Sequence, residues 1–173
     1  MAYTLAHRLV EDNDITKLQE LLLDPNAPVD TKDEWGWTPL LLAARKDLTN
    51  IVKLLVSSGR CDVNAITSDG SVLHWLFSDE DTVMFLLNNG VDCNLQDRFG
   101  STFLHVGFVS KPWKYVNIAR YCIEHKNFNI HLRNKRGQSI LFFCPALKNV
   151  ISDSSYEKVF SPQYSFSLKR QLT

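Results

Sequence analysis

Short apolar runs at helical spacing alternate along this chain with short polar breaks, and residues 33–66 show one full cycle. The cycle opens with the polar-aromatic stretch "DEWGW". Thr38 follows as a helix N-cap, because its hydroxyl accepts a bond from an otherwise free backbone N–H. Pro39 then falls at the first helical position, where its missing N–H costs nothing. Leu40, Ala43 and Ala44 make an apolar face, and the two alanines let a neighbouring helix approach closely. Asn50 is the expected cap of a second helix whose buried stripe is Ile51, Val52, Leu54 and Leu55. Gly59 ends that helix in the left-handed conformation, and "DVN" leads outward. Neither helix hides its apolar face alone, so the pair is predicted to stack on copies of itself.

Copies are present. Gly36, Gly70, Gly100 and Gly137 each precede a polar-to-apolar transition, at spacings of 34, 30 and 37 residues. The segments read "WGWTPLLLAA", "DGSVLHWLF", "FGSTFLHVGF" and "RGQSILFFCP". In a second register "IVKLLVSSGRCDVN" (51–64) matches "IARYCIEHKNFNIH" (118–131) without a gap, and "VMFLLNNGVDCN" (83–94) fits between them. Residues 3–32 read as a first copy without its turn, with Asp14 capping its second helix. The chain therefore divides into units 3–32, 33–66, 67–96, 97–133 and 134–161, in a single domain spanning 1–161. The third unit is short, its helices meeting at "FSDEDT". The fourth is long, with "SKPWKY" (110–115) read as a loop inserted between its helices. Pro145 falls inside the first helix of the fifth and is expected to bend or stop it. "SDSSYEKVF" makes one further short helix, and 162–173 is a tail.

The signature positions "TPLLLA", "SVLHWL", "TFLHVG" and "SILFFC", the period and the "DVN"-like ends together resemble the ankyrin repeat family, whose period is about 33 with a T-P-L-H-x-A motif. The resemblance is strongest across 33–133. It implies an all-α solenoid of about five stacked helix-turn-helix units with protruding β-turn or hairpin fingers, Leu40, Leu73, Leu104 and Leu141 lining its interior. It implies that His74 and His105 bond local backbone and hydroxyl groups. It also implies that Asn64 and Asn94 steady their turns, with hydroxylation in some members. A stack of this kind needs a polar end. The end here carries Phe142, Phe143, Val159, Phe160, Tyr164 and Phe166. Either the tail folds back as a cap, which the alternation "YSFSL" favours, or the chain continues or meets a partner there.

Composition narrows the function classes. Lys plus Arg equals Asp plus Glu at 19 each, so no bulk field favours nucleic acid or a cationic ligand. Four cysteines lie about thirty residues apart, outside any C-x-x-C pattern, and are expected as buried free thiols in a reducing compartment. The first residues lack the basic and long apolar regions of a signal peptide. No apolar stretch reaches eighteen residues, so no membrane-spanning helix is predicted. A cytoplasmic or nuclear location follows as the expectation.

Enzyme signatures are absent: there is no Gly-rich phosphate loop, no G-x-S-x-G and no H-E-x-x-H. His125, His131 and Cys122 do not make a metal-ligand set, and Cys144 with His105 lacks an orienting third group. No catalytic residue, cofactor or metal is expected. "VEDNDITK" and "FSDEDT" place acids where helix starts favour them. The better functional signal is aromatic. Trp35 and Phe99 occupy equivalent positions just before a finger glycine, where large apolar groups act as binding hot spots or pack sideways on the next finger. Trp37 is expected against the first helix. Trp75 falls at a groove-facing position, and Trp113 in the inserted loop has no evident structural duty. "HLRNKRGQ" is either a solvated turn or a dock for an acidic patch or phosphate.

The expected function is a non-catalytic protein–protein interaction module holding a partner protein or peptide segment in a concave groove. Its contacts would be Trp35, Arg98, Phe99, Trp113, Arg133, Lys135 and Arg136, with Arg45, Lys46 and Trp75 on groove helices. Neither nucleic acid nor membrane is an expected partner. The alternative is a recruiting or inhibitory domain of a larger enzyme or complex.

Overall fold

The computed structural model describes residues 3–76 and 79–148. The reading of 162–173 as a tail, the short helix in "SDSSYEKVF" and the fold-back cap all fall outside them. The chain is all-α, its helices arranged in helix-turn-helix pairs. The described residues form two compact bodies that divide between Asp97 and Arg98.

In the first body, α1 (Leu5–Glu11) and α2 (Ile15–Leu23) form one pair, α3 (Pro39–Arg45) and α4 (Thr49–Ser57) the next, and α5 (Val72–Trp75) and α6 (Glu80–Asn88) the third. The first helices pack in series, α1 on α3 and α3 on α5, and α4 packs on α6. Ala43 and Ala44 are fully buried, as close helix approach requires. Leu40 and Leu73 are buried at equivalent positions. A two-stranded hairpin, β1 (Ile66–Thr67) and β2 (Gly70–Ser71), pairs Thr67 with Gly70 just before α5.

The turns explain the helix starts. Asn13 and Asp47 take left-handed backbone angles, φ 53° and 57°, which short polar side chains tolerate better than other residues. Each reverses the chain within two residues. The Asp14 carboxylate then accepts from Lys17 N–H at 3.0 Å, as expected of a cap. The Asp47 reversal starts α4 at Thr49, so Asn50 lies inside the helix and is exposed rather than capping it. The buried stripe of α4 is correspondingly Ile51, Val52, Leu55 and Val56, with Leu54 only half-buried. In "VEDNDITK" only Asp14 caps a helix start, since Glu11 and Asp12 close the end of α1. In "FSDEDT", Asp79 caps α6 by accepting from Asp81 N–H at 3.1 Å.

Arg60 ties two repeats of the first body together. Its guanidinium donates to the Leu22, Asp24, Pro25 and Ala27 carbonyls at 3.0, 2.8, 3.0 and 2.7 Å, closing the open end of α2. Farther along, the Asn64 amide accepts from Asp92 N–H at 2.7 Å and donates to the Gly90 carbonyl at 3.2 Å. Asp30 accepts from Asp62 N–H at 2.9 Å, while its Oδ1 is buried without a partner among the described residues.

In the second body, α7 (Phe103–Ser110) packs on α8 (Pro112–His125) and on α9 (Ile140–Phe143). The stretch expected as an inserted loop is instead helical. One residue separates α7 from α8, and Pro112 starts α8 at a position where its missing N–H is harmless. The extra residues lengthen the second helix, and Trp113 rides on its first turn. Gly107 makes the α7–α8 approach possible: a Cβ there would run into the buried Tyr115 ring. α9 stops before Pro145, in line with the cost of proline inside a helix. Leu104 is buried, but Leu141 is only half-buried, its neighbour Ile140 taking the core position.

Candidate functional site

The fingers are built from side-chain to backbone bonds that hold the backbone of the tip residue and do not use its side chain. In residues 33–37 the buried Asp33 Oδ1 accepts from Trp35 and Trp37 N–H at 3.0 and 2.8 Å. The turn closes when Asp33 N–H donates to the Trp37 carbonyl at 2.9 Å and Gly36 N–H to the Asp33 carbonyl at 3.1 Å. Gly36 sits at φ 85°, a region glycine enters without strain. Residues 134–138 repeat the pattern. Asn134 Oδ1 accepts from Arg136 and Gln138 N–H at 3.0 Å each, and Gly137 sits at φ 75°. The tips at Trp35 and Arg136 are therefore the same structural position.

Histidines brace the fingers from behind. Thr4 N–H donates to His7 Nδ1 at 3.3 Å, so that nitrogen carries no proton and Nε2 does. Nε2 then donates to the Trp37 carbonyl at 2.9 Å, fixing the exit of the finger. His105 repeats this exchange with Thr102 N–H at 3.1 Å and the Gln138 carbonyl at 3.1 Å. His74 accepts from Ser71 N–H at 3.1 Å. His7 was not singled out in the sequence, although Thr4 precedes it by the same three residues that separate Ser71 from His74.

A groove of about 510 Å³ opens beside the first finger, within the first body. Of the expected contact residues, Trp35 and Arg45 line it. Trp35 stands out 70% exposed. The Arg45 guanidinium carbon lies over the Trp37 and Trp75 rings, 5.0 and 5.9 Å from their centroids, a cation–π arrangement. Trp37 is buried and meets Trp75 at 5.4 Å. Trp75 is drawn into this stack, half-buried, its indole nitrogen buried without a partner among the described residues. Lys46 is exposed and donates to the Glu11 carbonyl at 3.4 Å. Sequence reasoning missed the remaining walls: Tyr3, Glu11, Asp33, Leu42 and the 67–69 hairpin turn. Burial and the neighbouring Glu11 carboxylate push the Tyr3 phenol up to about 12, so it stays a neutral donor at physiological pH.

The second body gathers a basic tip around an aromatic one. Arg98 lies over the Phe99 ring at 4.9 Å, and Phe99 is 57% exposed. Lys135 N–H donates to the Phe99 carbonyl at 2.8 Å, joining the two fingers. Arg133 Nη1 donates to the Gly137 carbonyl at 2.6 Å, while Lys135 and Arg136 are exposed. Trp113 is half exposed on α8, apart from these fingers in sequence.

All four cysteines are free, and burial pushes the Cys61 thiol up to about 12 and raises Cys144 likewise, the reverse of nucleophile activation. Among the described residues no group of three or more His, Cys, Asp or Glu is placed to hold a metal. No described helix is long and apolar enough to cross a membrane.

Comparison with known proteins agrees with this geometry. The family model "Ankyrin repeats (3 copies)" matches residues 6–97, more than half of the chain. Ankyrin repeat protein OPG189 of Variola virus is 27% identical over 115 residues, 61% of this chain and 21% of that protein. Neurogenic locus notch homolog protein 1 of Mus musculus is 33% identical over 101 residues, 57% of this chain and 4% of that protein. Tyrosine-protein kinase Shark of Drosophila melanogaster is 34% identical over 104 residues, 58% of this chain and 11% of that protein. The similarity thus spans about a fifth or less of these relatives.

Proposed function

This chain belongs to the ankyrin-repeat family, and from that premise we propose that it works as a non-catalytic protein-binding module. Its groove and finger tips would hold a segment of a partner protein, in the cytoplasm or nucleus. Ankyrin repeats are generally protein–protein interaction modules. The finer assignment rests on one observation: two large aromatic side chains, Trp35 and Phe99, stand exposed on finger tips, the first on a turn that Asp33 braces and the second with its carbonyl bonded to Lys135 N–H. A rigid support limits the ordering cost of binding. Burying such a tip in a partner pocket is worth about 2 kcal/mol or more, roughly thirtyfold in affinity.

The test compares wild type with Trp35→Ala/Phe99→Ala. A partner is identified by affinity purification from the native host, and its dissociation constant is then measured with purified protein. The double variant is expected to keep its helical content and to bind about thirtyfold more weakly or worse. An unchanged dissociation constant refutes the tips as the site.

A second reading is favoured by the match to part of a tyrosine-protein kinase. The module would then be the recruiting or inhibitory arm of a larger enzyme or complex. Co-purification of a stoichiometric catalytic subunit supports this reading, and a stable complex with a non-enzyme alone counts against it.

A further inference from the structure

We propose that the groove beside the first finger receives an arginine or lysine side chain from the partner segment, an inference that rests on the groove-binding function above. Three features of the groove carry it. The first is aromatic. Trp35 is 70% exposed and Tyr3 43%, and both line the groove. The chain itself shows how such faces are used, since Arg45 already covers the Trp37 and Trp75 rings at 5.0 and 5.9 Å. Trp35 has the same capacity for a cation.

The second is a carboxylate oxygen that the finger leaves unused. Asp33 is 6% exposed and lines the groove. Its Oδ1 takes the Trp35 and Trp37 N–H groups. Its Oδ2 accepts no hydrogen bond from the described residues and is open to a donor that enters the groove. An incoming guanidinium or ammonium supplies the missing donor, and the bond is charge-assisted.

The third is net charge. Glu11, Asp33 and Asp69 line the groove against the single guanidinium of Arg45. Arg45 forms no ion pair among the described residues, being held over the indoles instead. A concave wall carrying three carboxylates and one cation attracts a basic side chain and repels an acidic one. The phenol of Tyr3 adds no charge. Arg45 is the cation in the groove lining that an acidic ligand could use, and the test includes that outcome.

The probes are N-acetyl-arginine amide, N-acetyl-lysine amide and N-acetyl-glutamate amide, titrated at low salt into the isotope-labelled full chain. Tryptophan indole N–H resonances are read by two-dimensional NMR. The Trp35 resonance is expected to shift saturably with the arginine and lysine probes, with dissociation constants in the range of about 1–30 mM. Trp113, outside the groove, is the internal control and should stay still. The double variant Glu11→Gln/Asp69→Asn should weaken binding about fivefold or more, as should raising salt to about 0.5 M. Glu11→Gln alone serves if the double variant loses its helical signal.

The proposal is overturned if Trp35 does not saturate, if Trp113 shifts equally, if the neutralising variants bind as wild type, or if the glutamate probe saturates instead. Failure here is separable from failure of the function above. A partner lost on Trp35→Ala/Phe99→Ala with no arginine binding sinks only the basic ligand. A partner that binds the double variant unchanged sinks the finger-tip site itself.

Discussion

Replacing Arg60 by alanine probes a four-bond link between repeats in the first body. The side chain donates to four main-chain carbonyls at 2.7–3.0 Å, from Leu22 to Ala27. The bonds to Leu22 and Ala27 are part-buried, and those to Asp24 and Pro25 are exposed. Hydrogen bonds to charged groups are worth about 1.5–3 kcal/mol when water cannot replace them. Taking the low end for the two part-buried bonds and about 0.5 kcal/mol for each exposed one gives roughly 4 kcal/mol. Releasing the arginine returns up to about 2 kcal/mol of rotamer entropy. The expected loss is therefore about 2 kcal/mol, or about 4–8 °C in Tm for a chain of this size. Urea unfolding at pH 7, followed by circular dichroism, measures it. Arg60→Lys should recover less than half, because one ammonium does not reach four carbonyls spread around a turn. The loss should also be nearly constant between pH 5 and 9, since the guanidinium stays charged and its acceptors do not titrate. A loss under about 0.5 kcal/mol, or a lysine variant as stable as wild type, would mean that water satisfies these carbonyls equally well.

Three further outcomes are expected. Burial, ahead of all other influences, raises the Asp30 carboxyl above its usual range, so its charge weakens the fold above that range and has no effect once it is protonated in both states. Asp30→Asn should raise Tm by about 2 °C at pH 7, discounted for the solvent that reaches this group, and give no gain near pH 3; an equal gain at both would show that charge is not the cause. Gly107→Ala sets a helix-propensity gain of about 1 kcal/mol against overpacking of about 1–3 kcal/mol where the new methyl meets Tyr115; a net loss of about 1 kcal/mol by urea unfolding is expected, and a stabilised variant would show that the ring yields freely. His7→Ala leaves Thr4 N–H without its acceptor and takes away one of the two donors to the Trp37 carbonyl, the other being Asp33 N–H, at about 1–2 kcal/mol, and should speed amide hydrogen exchange at Trp35 and Trp37, whereas unchanged exchange would show that Asp33 alone holds the finger.

What could be read from the sequence follows how local the chemistry is. Thr38, Pro39 and Asp14 act on backbone groups within three residues, and each sits where its side-chain chemistry places it. Asn50 failed because the start of α4 is set by the left-handed turn at Asp47, a backbone angle that side-chain type only permits. Trp113 was misplaced because six additional residues suggested a loop, yet Pro112 carried the same helix-start signal as Pro39. Arg60 gave no signal, since its acceptors are main-chain carbonyls 33–38 residues earlier and any residue type supplies a carbonyl. The groove was half legible. Trp35 and Arg45 stood out by type, but Tyr3, Glu11 and Asp69 become walls only when separate repeats stack.

The same division between local and non-local chemistry bears on specificity. Asp33 and Asn134 fix their fingers through identical acceptor geometry, and His7 and His105 brace them through identical carbonyl bonds. None of these bonds uses the tip side chain. The tip is accordingly free to be Trp35, Phe99 or Arg136 without disturbing the turn that carries it. Differences in what the fingers bind should therefore lie in the tip side chains, which these turn bonds do not use. Exchanging the tips, Trp35→Arg with Arg136→Trp, is expected to preserve Tm within about 2 °C, because surface changes away from bonded features cost about 0.5 kcal/mol or less. The partner's affinity should fall while the helical content stays. A collapse in stability instead would show that the tips hold the fingers up, and that recognition and folding are not separable in this chain.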